Sequence, residues 1–122
     1  TPDKLMHDMN TFGLLFETMA VRDLRVYADA IDAKVYHYRD KDELECDAVI
    51  ERRDGSYGLV EIKLGGDYAI SEAQITLNAL AKKINTDKVG KPSFRMVLTA
   101  IGKYALRLED GTLVVPIGCL KH

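Results

Sequence analysis

The chain has 122 residues, a length that fits one domain with its own hydrophobic core. Charged residues make up 30% of the chain and the net charge is −2 at pH 7, so no general positive field draws it to nucleic acid. Any nucleic-acid contact must therefore use a local basic patch.

The cellular location follows from what the chain lacks. It has no signal peptide and no run of the ~20 apolar residues that a membrane-spanning helix needs. Two cysteines, Cys46 and Cys119, do not make a disulfide framework. We therefore predict a cytoplasmic, reduced protein that does not enter a membrane.

The first elements are a helix and a strand. Thr11 is predicted to cap a helix over residues 12–30, after a frayed polar segment over residues 1–10. Helical spacing predicts a buried stripe of Phe12, Phe16, Met19, Ala20, Leu24 and Tyr27. Residues 34–39 are rich in β-forming side chains and predict the first strand.

A hairpin is expected next, because Asp54-Gly55 is a strong turn signal between apolar runs at 44–51 and 58–64. A second helix over 71–84, a loop over 85–92 and a parallel strand over 94–99 follow. The chain closes with a hairpin formed by residues 104–108 and 112–117. We predict an α/β fold, α-β-β-β-α-β plus a C-terminal hairpin, with a mixed sheet flanked by helices.

Acidic residues interrupt the two apolar strands of the first hairpin. With the turn centred on Asp54, Asp47 lies opposite Glu61, Val49 opposite Leu59 and Glu45 opposite Lys63. Neighbouring carboxylates repel each other unless a cation neutralises them, and Mg²⁺ needs only one or two carboxylates besides water. Asp47 and Glu61 are therefore candidate ligands of Mg²⁺ or Mn²⁺.

The rest of the hairpin pattern has two interpretations. Lys63 is suited to orient a water molecule or stabilise charge on a phosphate, and the backbone carbonyl of Ile62 is a candidate extra ligand. The alternative is structural, since alternating charges are common on a solvated strand face. Cys46 alternates to the face opposite Asp47 and is predicted to be a core residue.

This order of elements, with an acid on the second strand and Glu61-Ile62-Lys63 on the third, resembles the PD-(D/E)XK nuclease superfamily and its restriction-endonuclease-like fold. The resemblance implies that Asp47 and Glu61 bind metal, that Lys63 assists catalysis, and that Glu17 on the first helix adds a ligand. Cys46 stands where the superfamily motif has proline.

A narrower resemblance covers nearly the whole chain. It is carried by Thr11–Glu17, Arg22–Leu24, Tyr36–Asp40, the Glu45-x-Asp47 pair, Glu61–Lys63 and the late segment from Asp110 to Leu120. These segments are similar to the C-terminal domain of unknown function that follows a AAA+ ATPase module in many prokaryotic proteins. The resemblance implies that residues 1–122 are a single nuclease-like domain from a longer chain, with the ATPase and a winged-helix-like segment upstream. No phosphate-binding loop occurs within these residues.

Two functions follow. The first is Mg²⁺-dependent phosphodiester hydrolysis on DNA, in the context of the upstream ATPase domain. The second is a catalytically inactive nuclease-fold module that mediates DNA or protein binding for the ATPase. The pattern makes no prediction of an oligomeric state.

Several other side chains have both a functional and a structural interpretation. Glu17 is either a ligand or an ordinary residue beside the helix stripe. Arg39 either pairs with Glu45 or Asp47 or contacts phosphate. Gln74 either supports the site or is solvated, and His37 is expected to be packed in its strand. A DNA-facing patch and simple solvation both explain Lys82, Lys83, Lys88 and Lys91.

Overall fold

A six-stranded mixed sheet with one helix on each face forms the fold in the computed structural model, which describes residues 1–84 and 89–120. The elements are α1 (Pro2–Ala30), β1 (Ala33–Arg39), β2 (Glu45–Arg52), β3 (Tyr57–Lys63), α2 (Asp67–Ile84), β4 (Phe94–Thr99), β5 (Leu106–Arg107) and β6 (Leu113–Pro116). A short 3₁₀ turn, Ile117–Cys119, follows. The predicted α/β class and order of elements are confirmed.

The sheet order is β1-β2-β3-β4-β6-β5. The strands β3 and β4 are parallel, as are β4 and β6, while the other neighbours are antiparallel. The parallel fourth strand and the closing hairpin are therefore as predicted. None of the helices in the described part of the chain is long and apolar enough to cross a membrane.

Helix α1 begins ten residues earlier than predicted, because the true cap is Thr1. Its side chain accepts a hydrogen bond from the Lys4 backbone N–H at 3.2 Å, and Pro2 occupies the first turn, where its missing N–H has no cost. The Lys4–Asp8 ion pair, 3.1 Å long, adds to the same stretch. The predicted frayed segment and the Thr11 cap are wrong.

The two faces of the sheet bury separate hydrophobic clusters. Helix α1 contributes Phe16, Ala20, Leu24 and Ala28 to the cluster on its side. The predicted stripe is only partly correct, since Phe12 and Met19 are 62% and 45% exposed. Helix α2, which starts at Asp67 rather than Ser71, covers the other face with Ala73, Leu77 and Leu80.

The first hairpin has the predicted turn, and the predicted register holds for the residues that pair, Ala48–Glu51 with Tyr57–Val60. Arg52 donates its backbone N–H to the Ser56 carbonyl at 2.9 Å, and Gly55 adopts the positive φ of 89° that the turn requires. Val49 pairs with Leu59 as expected. The predicted loop over 85–92 is described only from Val89 onward, and Lys88 of the basic patch lies outside the described residues.

Candidate active site

A β-bulge places Asp47. Tyr36 pairs with Val49 and Tyr38 pairs with Cys46, so His37 on β1 opposes two residues on β2, Asp47 and Ala48. A bulge of this kind bends the strand and redirects a side chain. The bulge breaks the predicted strict alternation of side chains between the two faces of the sheet. Cys46 and Val49, three residues apart, both pack in the cluster beneath α2. Cys46 is nevertheless fully buried, as predicted.

Where the backbone pairing of β2 and β3 stops, hydrogen bonds between backbone N–H groups and side-chain carboxylates connect the two strands. The backbone register between β2 and β3 ends at Ala48 and Val60. Beyond it, the Asp47 backbone N–H donates to Glu61 Oε2 at 3.0 Å, and the Ile62 backbone N–H donates to Asp47 Oδ2 at 2.8 Å. Each strand therefore holds the carboxylate of the other, and the two acids are fixed side by side.

Glu61 is buried because β3 is a central strand whose first six residues are all buried. Its side chain is only 7% exposed. Burial first, and then the charge of Asp47, raise the pKa of the Glu61 carboxyl to about 8. A buried carboxyl beside another carboxylate is costly to ionise, so this position favours either a proton or a bound cation.

Glu17 adds a third carboxyl group from α1. The buried neighbours Phe16 and Ala20 fix this turn of the helix against the sheet, and Glu17 itself is half-buried. Burial raises its pKa first, followed by the charge of Asp47 and a hydrogen bond with the Asp47 side chain. The structure thus brings together all three acids that the sequence singled out.

Lys63 is the last residue of β3 and follows Glu61 by two positions in the strand. It is half-buried, and its positive charge lowers the pKa of Glu61, against the larger effect of burial. It forms no ion pair with any residue in 1–84 or 89–120. Its amine is therefore close enough to act on Glu61 through space and is free to meet a ligand.

The expected pairing of Glu45 with Lys63 is wrong. Glu45 pairs with Arg39 of β1 in the sheet, and its carboxylate lies 3.5 Å from the Arg39 guanidinium. The reason is that β2 turns away from β3 at the bulge and follows β1 instead. Of the alternatives for Arg39, the structure shows the ion pair with Glu45.

Of the described side chains, two carboxylates, not three, are placed so that they could bind a hard cation. Within the described ranges, no group of three or more His, Cys, Asp or Glu side chains is arranged so that it could hold a metal ion. Asp47 and Glu61 together meet the smaller need of Mg²⁺, which keeps several water ligands beside one or two carboxylates. Glu17, hydrogen-bonded to Asp47, stands behind this pair.

His37 was missed as a neighbour of the site. It is exposed rather than packed in its strand, and it lowers the pKa of Glu17 electrostatically, against the larger effect of burial. The imidazole reaches this position because His37 is the single β1 residue opposite the bulge. No spacing rule reveals it, since the bulge itself leaves no mark in the hydrophobic pattern.

Two other candidates are engaged elsewhere. Gln74 hydrogen-bonds the carboxylate of Asp110, which also accepts from Asn78 Nδ2 at 2.9 Å. Lys83 binds Asp40 at 2.9 Å and also contacts Asp42. Gln74 is therefore no part of the acid cluster. Among the lysines near the end of α2, Lys83 is paired with acidic side chains.

The chain was compared with known proteins. The family described as Domain of unknown function (DUF4143) matches residues 12–120. No curated protein and no solved structure gave a significant match.

Proposed function

We propose that this chain, which belongs to the family described as Domain of unknown function (DUF4143), hydrolyses phosphodiester bonds in DNA with a divalent cation held by Asp47 and Glu61. The observation that carries the proposal is the pair of hydrogen bonds that lock these acids together, at 3.0 and 2.8 Å. A sheet has no structural need for two adjacent carboxylates at its centre, and their repulsion destabilises it. A bound cation removes that repulsion.

Each residue then has a defined task. Asp47 and Glu61 would hold Mg²⁺ or Mn²⁺ together with the carbonyl of Ile62, and Glu17, whose pKa is raised, would support Asp47 by donating a hydrogen bond from its protonated carboxyl. Such an ion polarises a phosphodiester and lowers the pKa of a bound water. Lys63 orients the attacking water or stabilises negative charge on the phosphate, because its amine forms no ion pair with any of the described residues.

The proposed setting is a longer polypeptide. The narrower resemblance supports a position for this domain after an upstream AAA+ ATPase of the same polypeptide. In that setting the domain is a cytoplasmic nuclease module of the PD-(D/E)XK type, and its access to DNA depends on the ATPase.

A second function is favoured by one observation, the lack of a three-residue metal arrangement in the described part of the chain. On this alternative the domain is a catalytically inactive nuclease fold that binds DNA or protein for the ATPase. The two functions differ in the expected effect of changing Asp47 and Glu61. The nuclease loses its cleavage activity, whereas the inactive module keeps its binding.

A cleavage assay separates them. Supercoiled plasmid and linear duplex DNA are incubated with the protein and Mg²⁺ or Mn²⁺, and nicking is followed on gels. Wild type is expected to nick DNA, and Asp47→Asn and Glu61→Gln are expected to lose at least about 100-fold in rate, since each removes a charged ligand.

Glu45→Gln is the matched control. Glu45 lies on the same strand as Asp47, but its carboxylate pairs with Arg39 and does not join the acid pair. It is expected to cut like wild type. No cutting with either ion, together with unchanged DNA binding in Asp47→Asn, would support the inactive module instead.

A further inference from the structure

A shallow groove lies on α1 and includes Glu17 of the acid cluster. Its volume is about 490 Å³, and it is lined by Leu14, Glu17, Thr18, Val21, Arg22 and Arg25. Glu17 is shared, since it hydrogen-bonds Asp47 on one side and lines the groove on the other. The groove therefore shares one residue with the site and lies next to it.

The two arginines of the groove are available for a ligand. Arg22 and Arg25 are exposed and form no ion pair with any residue of the described ranges. Two other arginines are paired with acids: Arg53 binds Asp32 at 2.8 Å, and Arg95 binds Asp110 at 3.3 Å. Guanidinium groups without an internal partner are suited to phosphate.

Their spacing suits a nucleic-acid backbone that passes the acid pair. Arg22 and Arg25 follow Glu17 by five and eight residues, which corresponds to about 7.5 and 12 Å along a helix. Duplex DNA rises 3.4 Å per nucleotide of one strand. The arginines are thus about two to four nucleotides away from a phosphodiester placed at the acids.

The other basic surface is less suitable. Lys83, at the end of α2, is engaged by Asp40 and Asp42. Arg95, which lines a pocket with Lys82 and Lys91, is engaged by Asp110. Glu17 is the only acidic residue among those lining the α1 groove, and it is the one that connects the groove to the site.

We infer that Arg22 and Arg25 bind the phosphate backbone of duplex DNA and direct the strand along α1 to Asp47 and Glu61. The inference rests on the proposed function for its substrate class. It assigns the groove a binding role that does not require the cleavage step, because phosphate contacts position DNA without reading its sequence.

The test is DNA binding without divalent ions. Binding of a fluorescein-labelled 20-base-pair duplex is measured by anisotropy in EDTA, over a range of salt concentrations. The double variant Arg22→Gln/Arg25→Gln is expected to bind about 10- to 100-fold more weakly at 0.1 M salt, with a salt slope reduced by about 2. The control Lys82→Gln/Lys91→Gln removes the same charge from the other surface and is expected to bind within about threefold of wild type.

Five results bear on the inference. Equal binding by the Arg22→Gln/Arg25→Gln variant and wild type would overturn it, as would the absence of salt-dependent binding by wild type, or a larger loss in the lysine control. Weaker binding of the arginine variant supports it even when no protein cuts DNA, in which case only the proposed function fails. Cutting that is unaffected by both arginine changes leaves the proposed function and removes the inference.

Discussion

Replacing Glu61 by glutamine is expected to make the metal-free protein more stable at pH 8. In the unfolded chain this carboxyl ionises near 4.5, whereas burial and Asp47 raise its pKa in the folded protein to about 8. Between these values the folded state binds the proton more tightly than the unfolded state, so the free energy of unfolding falls as pH rises and is constant above about pH 8. Glutamine removes that decline.

The substitution keeps the local geometry. The amide oxygen of glutamine still accepts the bond that Asp47 N–H now donates to Glu61 Oε2 at 3.0 Å, and its amide N–H group donates to a neighbouring carboxylate. We expect a gain on the order of 2 to 4 kcal/mol in the free energy of unfolding at pH 8, and little change at pH 4.5.

The measurement is urea unfolding of wild type and Glu61→Gln in EDTA at half-unit steps from pH 4.5 to pH 9. Glu45→Gln serves as the control, since its carboxylate is exposed and bound to Arg39. A variant less stable than wild type at pH 8, or two parallel pH curves, would show that Glu61 carries no ionisation cost. A site that is costly to the fold when empty is what a functional carboxylate pair requires.

Under the proposed function, changing Lys63 to methionine is expected to slow DNA cleavage by at least about 100-fold while leaving Asp47 and Glu61 in place. Methionine matches the length of the lysine stem and removes only the charge and the donors. Lys63 makes no ion pair with the described residues, so its loss leaves no buried partner unpaired. The effect should therefore be on the reaction step, where charge develops on the phosphate.

Single-turnover cleavage with saturating Mn²⁺ measures that step directly. Lys63→Arg is expected to recover part of the rate because it restores the charge, and Lys103→Met, an exposed lysine outside the site, is expected to behave as wild type. If Lys63→Met cuts at the wild-type rate, the lysine has no catalytic task and the proposed mechanism is wrong.

The sequence predicted the hairpin register, because the Asp54-Gly55 turn and the alternation of apolar residues both act locally. It also brought Asp47 and Glu61 to the correct neighbourhood. The proximity of Glu17 came from a family resemblance, since no local rule relates a residue on α1 to one on β2.

Other features depend on the assembled fold. The bulge opposite His37 breaks the alternation that placed Cys46, and no periodicity in the sequence marks where a strand will gain one residue. The burial of Glu61 follows from the position of β3 between β2 and β4. The early start of α1 at Pro2 was missed because polar residues on a solvated helix face look like a frayed segment.

The most direct test is a calorimetric titration with Mn²⁺ at pH 7, carried out in two buffers with different ionisation enthalpies. We expect one ion to bind per chain and to release part of a proton, because Glu61 has a pKa of about 8 and must give up its proton to become a ligand. Asp47→Asn should abolish this binding, and Glu45→Gln should keep it. Absence of binding in wild type, or equal binding by Asp47→Asn, would contradict the claim that these acids form a metal site.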